Sequence, residues 1–136
     1  MEIAPYLIFN GNCAEAFKFY EKTLGGKIDG MQTYGESPAK EHVPAEVHNR
    51  VIHVRMTVGN EVLMGSDAPS EKFETPQGIS VTITVSTAAE AERIFKALAD
   101  RGKVTMPFEK TFWSPGFGMA VDRFGIPWMV NTATAD

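Results

Sequence analysis

Apolar and polar residues alternate along this chain in two distinct rhythms. In the segment opened by Ala14-Glu15-Ala16, residues Cys13, Ala16, Phe17, Tyr20 and Leu24 recur at helical spacing. In the segment opened by Ala89-Glu90-Ala91, residues Ala91, Ile94, Phe95 and Leu98 do the same. The run Ile79-Ser80-Val81-Thr82-Ile83-Thr84-Val85 instead alternates strictly, which predicts a strand with one apolar and one hydroxylic face. The two helical segments align with each other across a one-residue gap, and each sits between strand-like segments, so the chain contains an internal repeat. Strands are predicted at 3–9, 27–33, 50–58 and 61–66, and again at 78–85, 103–109, 117–122 and 126–131. Asn12 with Glu15, and Thr87 with Glu90, have the spacing of helix-start capping pairs. Gly25 or Gly26, and Gly102, stand where a left-handed helix stop is expected.

This pattern predicts an α+β fold built as βαβββ written twice, with module one at about 1–68 and module two at about 77–133 of a single domain spanning 1–136. The two modules together are expected to form a curved mixed sheet, with helices on one face and a cleft on the other. Residues 34–49 read as a loop, and 67–77, with Pro69 and Pro76, as the linker between modules.

Strand parity then assigns faces. Ile52, Val54, Met56 and Val58 are expected beneath a helix, leaving Val51, His53, Arg55 and Thr57 on the cleft face. His53 would serve there as a base or hydrogen-bond donor beside Arg55 as an anion anchor. The alternative is a His53 satisfied by a neighbour and an Arg55 at the rim or in an interface. The same parity places Ile79, Val81, Ile83 and Val85 beneath the second helix. It leaves Ser80, Thr82 and Thr84 on the cleft face, to bond a ligand or simply to solvate it. Phe108, Phe112, Trp113, Phe117, Phe124 and Trp128 crowd the end of module two. Phe124 and Trp128 are read as core, and Trp113 as a wall of the cleft. Cys13 lies on the apolar helix stripe and is read as a buried thiol. His42 and His48 fall in the loop without zinc-site spacing.

Composition narrows the function classes. The chain has 136 residues, 43% hydrophobic and 22% charged, with a net charge of -4, which disfavours non-specific nucleic-acid binding. No apolar run approaches the roughly 20 residues of a membrane span. The opening Met1-Glu2-Ile3-Ala4-Pro5 has no basic region followed by an apolar stretch, so no secretory signal is expected. The single cysteine precludes an internal disulfide, and a cytoplasmic location is expected.

Four stretches carry a more specific signal. They are Tyr6-Leu7-Ile8-Phe9-Asn10-Gly11-Asn12-Cys13, Leu63-Met64-Gly65-Ser66-Asp67, Thr111-Phe112-Trp113, and Asp122-Arg123-Phe124-Gly125-Ile126-Pro127-Trp128-Met129-Val130-Asn131. With the repeat, they resemble the vicinal oxygen chelate superfamily, the glyoxalase and bleomycin-resistance proteins, and within it the PhnB-like branch. Members of that branch are often labelled demethylubiquinone methyltransferase-like. The sequence offers no glycine-rich strand-to-helix loop of the kind that cradles S-adenosylmethionine. Enzymes of the superfamily hold a divalent metal with ligands from the first and last strand of each module. The resemblance places those positions at Pro5, Met64, Ser80 and Met129, where no imidazole or carboxylate stands. No metal and no cofactor is therefore expected, and Met64 and Met129 become apolar lining.

Three function classes follow. The first is a small-molecule binding protein using His53, Arg55, Ser80, Thr82, Trp113, Met64 and Met129. The second is an enzyme with His53 as its base, and the third a metal enzyme with displaced ligands. The resemblance also implies a homodimer.

Overall fold

The computed structural model describes residues 1–69 and 72–134. Ser70 and Glu71, within the predicted linker 67–77, lie outside the described residues, as do Ala135 and Asp136. The fold is α+β and consists of two βαβββ modules. The chain divides into two units, Met1–Glu74 and Thr75–Asp136. Each carries its own four-stranded mixed sheet.

The first unit runs β1 (Tyr6–Phe9), α1 (Cys13–Leu24), β2 (Lys27–Thr33), β3 (Val51–Val58) and β4 (Glu61–Asp67), with strand order β1-β4-β3-β2. β1 is parallel to β4, and the other pairs are antiparallel. The predicted loop 34–49 contains three short 3-10 turns, at Tyr34–Glu36, Pro38–His42 and Ala45–Val47. Helix α1 lies against β2, β3 and β4 and buries Cys13, Ala16, Phe17 and Tyr20 as expected from the sequence, but in its last turn it buries Thr23 and leaves Leu24, expected on the stripe, half-buried. Phe17 meets Phe9 and Tyr20 edge to face, at centroid distances of 6.0 and 5.6 Å. Full burial of each such side chain contributes about 1.5–3 kcal/mol.

The start of α1 departs from expectation. Asn12 makes no side-chain capping bond. The cap is instead Asp67, at the end of β4. It is 1% exposed; its Oδ1 accepts Gly11 N at 2.8 Å and Cys13 N at 3.0 Å, and its Oδ2 accepts Val51 N at 2.9 Å. A sequence window around the helix misses this cap because it comes from another strand. Burial, reinforced by the Asp67 charge, pushes the Cys13 thiol far up, so Cys13 stays protonated and unreactive. Gly25 ends the helix in the left-handed region at φ 68°, as expected.

Parity in β3 holds from His53 onward and fails before it. Val54 and Met56 are fully buried, but so is Val51, predicted for the opposite face, while Ile52 is half-buried. The β2–β3 register shifts between Gln32 and Thr33, so Val51 pairs with Thr33 and His53 with Gln32. This bulge resets the alternation, and Val51 donates inward to Asp67.

The second unit runs β5 (Val81–Val85), α2 (Ala88–Ala99), β6 (Lys103–Glu109), β7 (Phe117–Val121) and β8 (Pro127–Thr132), with strand order β5-β8-β7-β6. Helix α2 buries Ala91, Ile94, Phe95 and Leu98, and its Thr87 cap accepts Glu90 N at 3.2 Å. Two expectations need correction here. Ile79 and Ser80 precede β5 rather than belonging to it, and Ile79 is 77% exposed instead of lying beneath the helix. The left-handed residue after α2 is Arg101, at φ 59°, not Gly102. Gly102 is required for a different reason: a side chain there would run into the carbonyl of Val121.

Asp122 plays in the β7–β8 turn the part that Asp67 plays in the first unit. It is buried; its Oδ1 accepts Phe124 N at 2.9 Å and Ile126 N at 3.0 Å, and its Oδ2 accepts Trp128 Nε1 at 2.8 Å. Phe124 and Trp128 are core, as expected. Among the described residues no helix is long and apolar enough to cross a membrane.

Candidate functional site

In the first unit, the sheet face away from α1 collects polar side chains. The register aligns Tyr6, Met64, Arg55 and Gly30 in one row across β1, β4, β3 and β2, and pairs His53 with Gln32. Side chains opposite one another on adjacent strands point to the same face, so this face carries Tyr6, Met64, Arg55, His53 and Gln32. Tyr6 stacks on His53 at a centroid distance of 5.8 Å and an interplanar angle of 26°. Its hydroxyl shares a 3.2 Å hydrogen bond with His53 Nδ1, whose direction follows the imidazole tautomer. Nδ1 is thus engaged, and the Nε2 edge is the one left to meet a ligand.

Beside the stacked pair, Arg55 donates from Nη1 to Glu2 Oε1 at 3.2 Å and from Nη2 to Glu2 Oε2 at 3.3 Å. The hydrogen bonds that Arg55 donates to Glu2, then the Glu2 charge, then that of Asp29, raise the Arg55 pKa further above its already high value, so it is a cation at any working pH. A shallow hollow of about 460 Å³ opens here, lined by Asp29, Gly30, Met31, Gln32, His53 and Arg55. Asp29 sits where the β2–β3 register shifts between Ile28 and Gly30, and Gly30 contributes no side chain to fill the space. Tyr6, Gln32 and Asp29 were not singled out by sequence reasoning. The strand alternation of 27–33 could have placed Gln32, but the bulge at Asp29 has no sequence signature.

The second unit's open face is different in character. Met106 lies opposite Met119, Met119 opposite Met129, and Met129 opposite Thr82, a row of three thioethers and a hydroxyl. Trp113, half-exposed, meets Phe117 at 5.4 Å and Phe112 at 4.8 Å, both edge to face. Of the predicted site residues, Ser80, Thr82, Trp113 and Met129 belong to this unit, and His53, Arg55 and Met64 to the first. The registers also shift the positions expected for metal ligands: Tyr6, not Pro5, faces Met64, and Thr82, not Ser80, faces Met129. Among the described residues no three His, Cys, Asp or Glu side chains converge as a metal site would require.

Comparison with known proteins agrees with this architecture. Residues 1–131 match the family model described as 3-demethylubiquinone-9 3-methyltransferase. The chain belongs to this PhnB-like family. It is 32% identical to protein YjdN of Escherichia coli K12, over 96% of this chain and 95% of that protein. A crystal structure of protein PA1353 from Pseudomonas aeruginosa is 46% identical and superposes with a TM-score of 0.91, covering 99% of each chain. A putative 3-demethylubiquinone-9 3-methyltransferase, PhnB protein, from Bacillus cereus is 26% identical, with a TM-score of 0.82 over 98% of this chain and 100% of that one. At the level of fold alone, the chain resembles a glyoxylase/bleomycin resistance protein/dioxygenase domain from Frankia, at 11% identity and a TM-score of 0.67. The chain thus shares its fold with a glyoxalase/bleomycin-resistance domain, the group its sequence motifs resemble. Two of those motifs now have structural roles, since Asp67 and Asp122 each accept three N–H donors.

Proposed function

We propose that this PhnB-like protein binds a small organic molecule on the open face of the first unit's sheet, without the hard-metal site of its enzymatic superfamily relatives. The observation that carries this reading is the polar array of Tyr6, His53, Gln32 and Arg55 beside a hollow of about 460 Å³. That volume falls within the range of small-molecule sites, in which a few placed polar groups fix orientation. A methyltransferase reading lacks a cofactor cradle. The β1–α1 connection has the lone glycine Gly11, and the β5–α2 connection is Ser86-Thr87, so neither is a glycine-rich strand-to-helix loop of the kind that cradles S-adenosylmethionine. The positions expected to ligate a metal offer thioethers, a phenol and a hydroxyl, poor donors for Mg²⁺, Mn²⁺ or Zn²⁺.

Native mass spectrometry of freshly purified protein is expected to show a co-purified organic mass and no stoichiometric transition metal. His53→Ala and Arg55→Ala should each lower occupancy about tenfold or more, the scale of a lost charged or aromatic contact. Unchanged occupancy in both variants would remove the site from this face. The open Nε2 edge of His53, with Nδ1 held by Tyr6, favours a second reading, in which His53 is a base oriented by its partner. Conversion of the bound molecule by the native protein, abolished in His53→Gln, would select that reading.

The protein is also proposed to be a homodimer, because Phe112 is 97% exposed beside the half-exposed Trp113 and large aromatic patches on monomers are uncommon. Sedimentation is expected to give twice the chain mass at micromolar concentration, and the chain mass alone would refute it.

A further inference from the structure

The geometry points to a carboxylate as the group this face recognises, with Glu2 as a tethered stand-in for it. This rests on the small-molecule reading above and names the ligand's chemistry. Three observations converge. Arg55 already holds a carboxylate in fork-to-fork fashion, with one oxygen on each terminal nitrogen, at 3.2 and 3.3 Å. That is the arrangement by which arginine selects planar oxyanions, and a lysine cannot reproduce it. Second, the hollow beside Arg55 is lined by Asp29, Gly30, Met31, Gln32 and His53; Gln32 and His53 offer donors to the body of a molecule whose carboxylate replaces that of Glu2 on Arg55, and Gly30 leaves the space for it. Third, Glu2 is held loosely enough to leave. It precedes β1 in a stretch without regular structure, between exposed Met1 and Ile3. The first backbone hydrogen bond tying the stretch to the sheet is at Pro5, whose carbonyl accepts Met64 N at 3.2 Å.

A short tether presents its carboxylate at an effective concentration on the order of millimolar. A free carboxylate must displace it, so removing the tethered group strengthens binding of the free one. The pair is exposed, with both side chains more than 40% accessible, which keeps its hold weak; the gain is about two- to fivefold.

The test uses the full chain, ¹⁵N-labelled and titrated with benzoate and, separately, with benzamide, which shares the ring but not the charge. Benzoate is expected to shift the amides of Gly30, Gln32, His53 and Arg55 saturably, and benzamide to bind about tenfold or more weakly. Glu2→Gln should tighten benzoate about two- to fivefold and leave benzamide unchanged, while Arg55→Lys should weaken benzoate about tenfold. Benzamide binding as tightly as benzoate at these amides would overturn the carboxylate assignment and leave the small-molecule reading standing. Benzoate affinity unaltered by Glu2→Gln would overturn the stand-in role. If neither compound moves these amides, the inference is wrong altogether, and the broader reading is then judged separately by the co-purified mass.

Discussion

Asp67→Ala is expected to destabilise the first unit by about 3–5 kcal/mol, because it strips two buried N–H groups and one part-buried N–H group of their acceptor, and a buried one left unsatisfied costs about 1–3 kcal/mol. Gly11, Cys13 and Val51 donate to this one side chain, and alanine reaches none of them. The loss also uncaps α1, since Asn12 supplies no side-chain bond in compensation. Urea unfolding followed by far-ultraviolet dichroism should show the midpoint fall by more than about 1 M. Asp67→Asn separates hydrogen bonding from shape. Its amide oxygen can take the Oδ1 position and keep Gly11 and Cys13, but its NH₂ then confronts Val51 N, so a smaller loss of about 1–3 kcal/mol is expected. A loss below about 1 kcal/mol for the alanine variant would mean that water or Asn12 replaces the carboxylate.

Gly102→Ala should cost about 3 kcal/mol, at or above the upper end for added methyl groups, because the obstacle is main chain rather than a side chain that can turn aside. An added Cβ would overlap the Val121 carbonyl oxygen and come within 3.0 Å of the Cα and carbonyl carbon of Asp122. Lys103 pairs with Val121 in the β6–β7 ladder, so relief requires opening the ladder at its first rung. Gly30→Ala is the matched control. No atom lies within 4 Å of its added Cβ, and a change within about 0.5 kcal/mol is expected. Equal thermal midpoints for the two variants would disprove the steric account.

The order of elements was legible because both signals that encode it are local. The helical spacing of Ala91, Ile94, Phe95 and Leu98 and the alternation of 81–85 each lie within a few residues, and both survive in the structure. What escaped was set by contacts distant in sequence or by backbone irregularity. Nothing near Asn12 reveals that Asp67 will cap its helix. The bulge that buries Val51 instead of Ile52 arises from how β2 meets β3. Ser80 continues the alternating pattern of its neighbours, yet the ladder with β8 begins at Val81, and alternation alone cannot say where pairing starts. In the site, His53 and Arg55 could be named because polar residues interrupt an apolar strand. Tyr6 looked like part of an ordinary β-run, and only the stacking across to His53 gives it a role. Glu2 had no pattern to belong to.

The two helices differ in where their caps originate, and this bears on the order in which the chain acquires structure. Thr87 caps α2 from the adjoining residue, using a donor three positions away, so that helix can be closed off while the rest of the chain is still unfolded. The acceptor for α1 is 54 residues from Cys13, and a loop of that length must close before the bond exists. Two repeats with the same topology therefore begin from unequal starting points. The second can gain its helix cap from its own segment, whereas the first gains its cap only when its last strand is in place, and newly made chain emerging in sequence reaches that strand after the helix it caps.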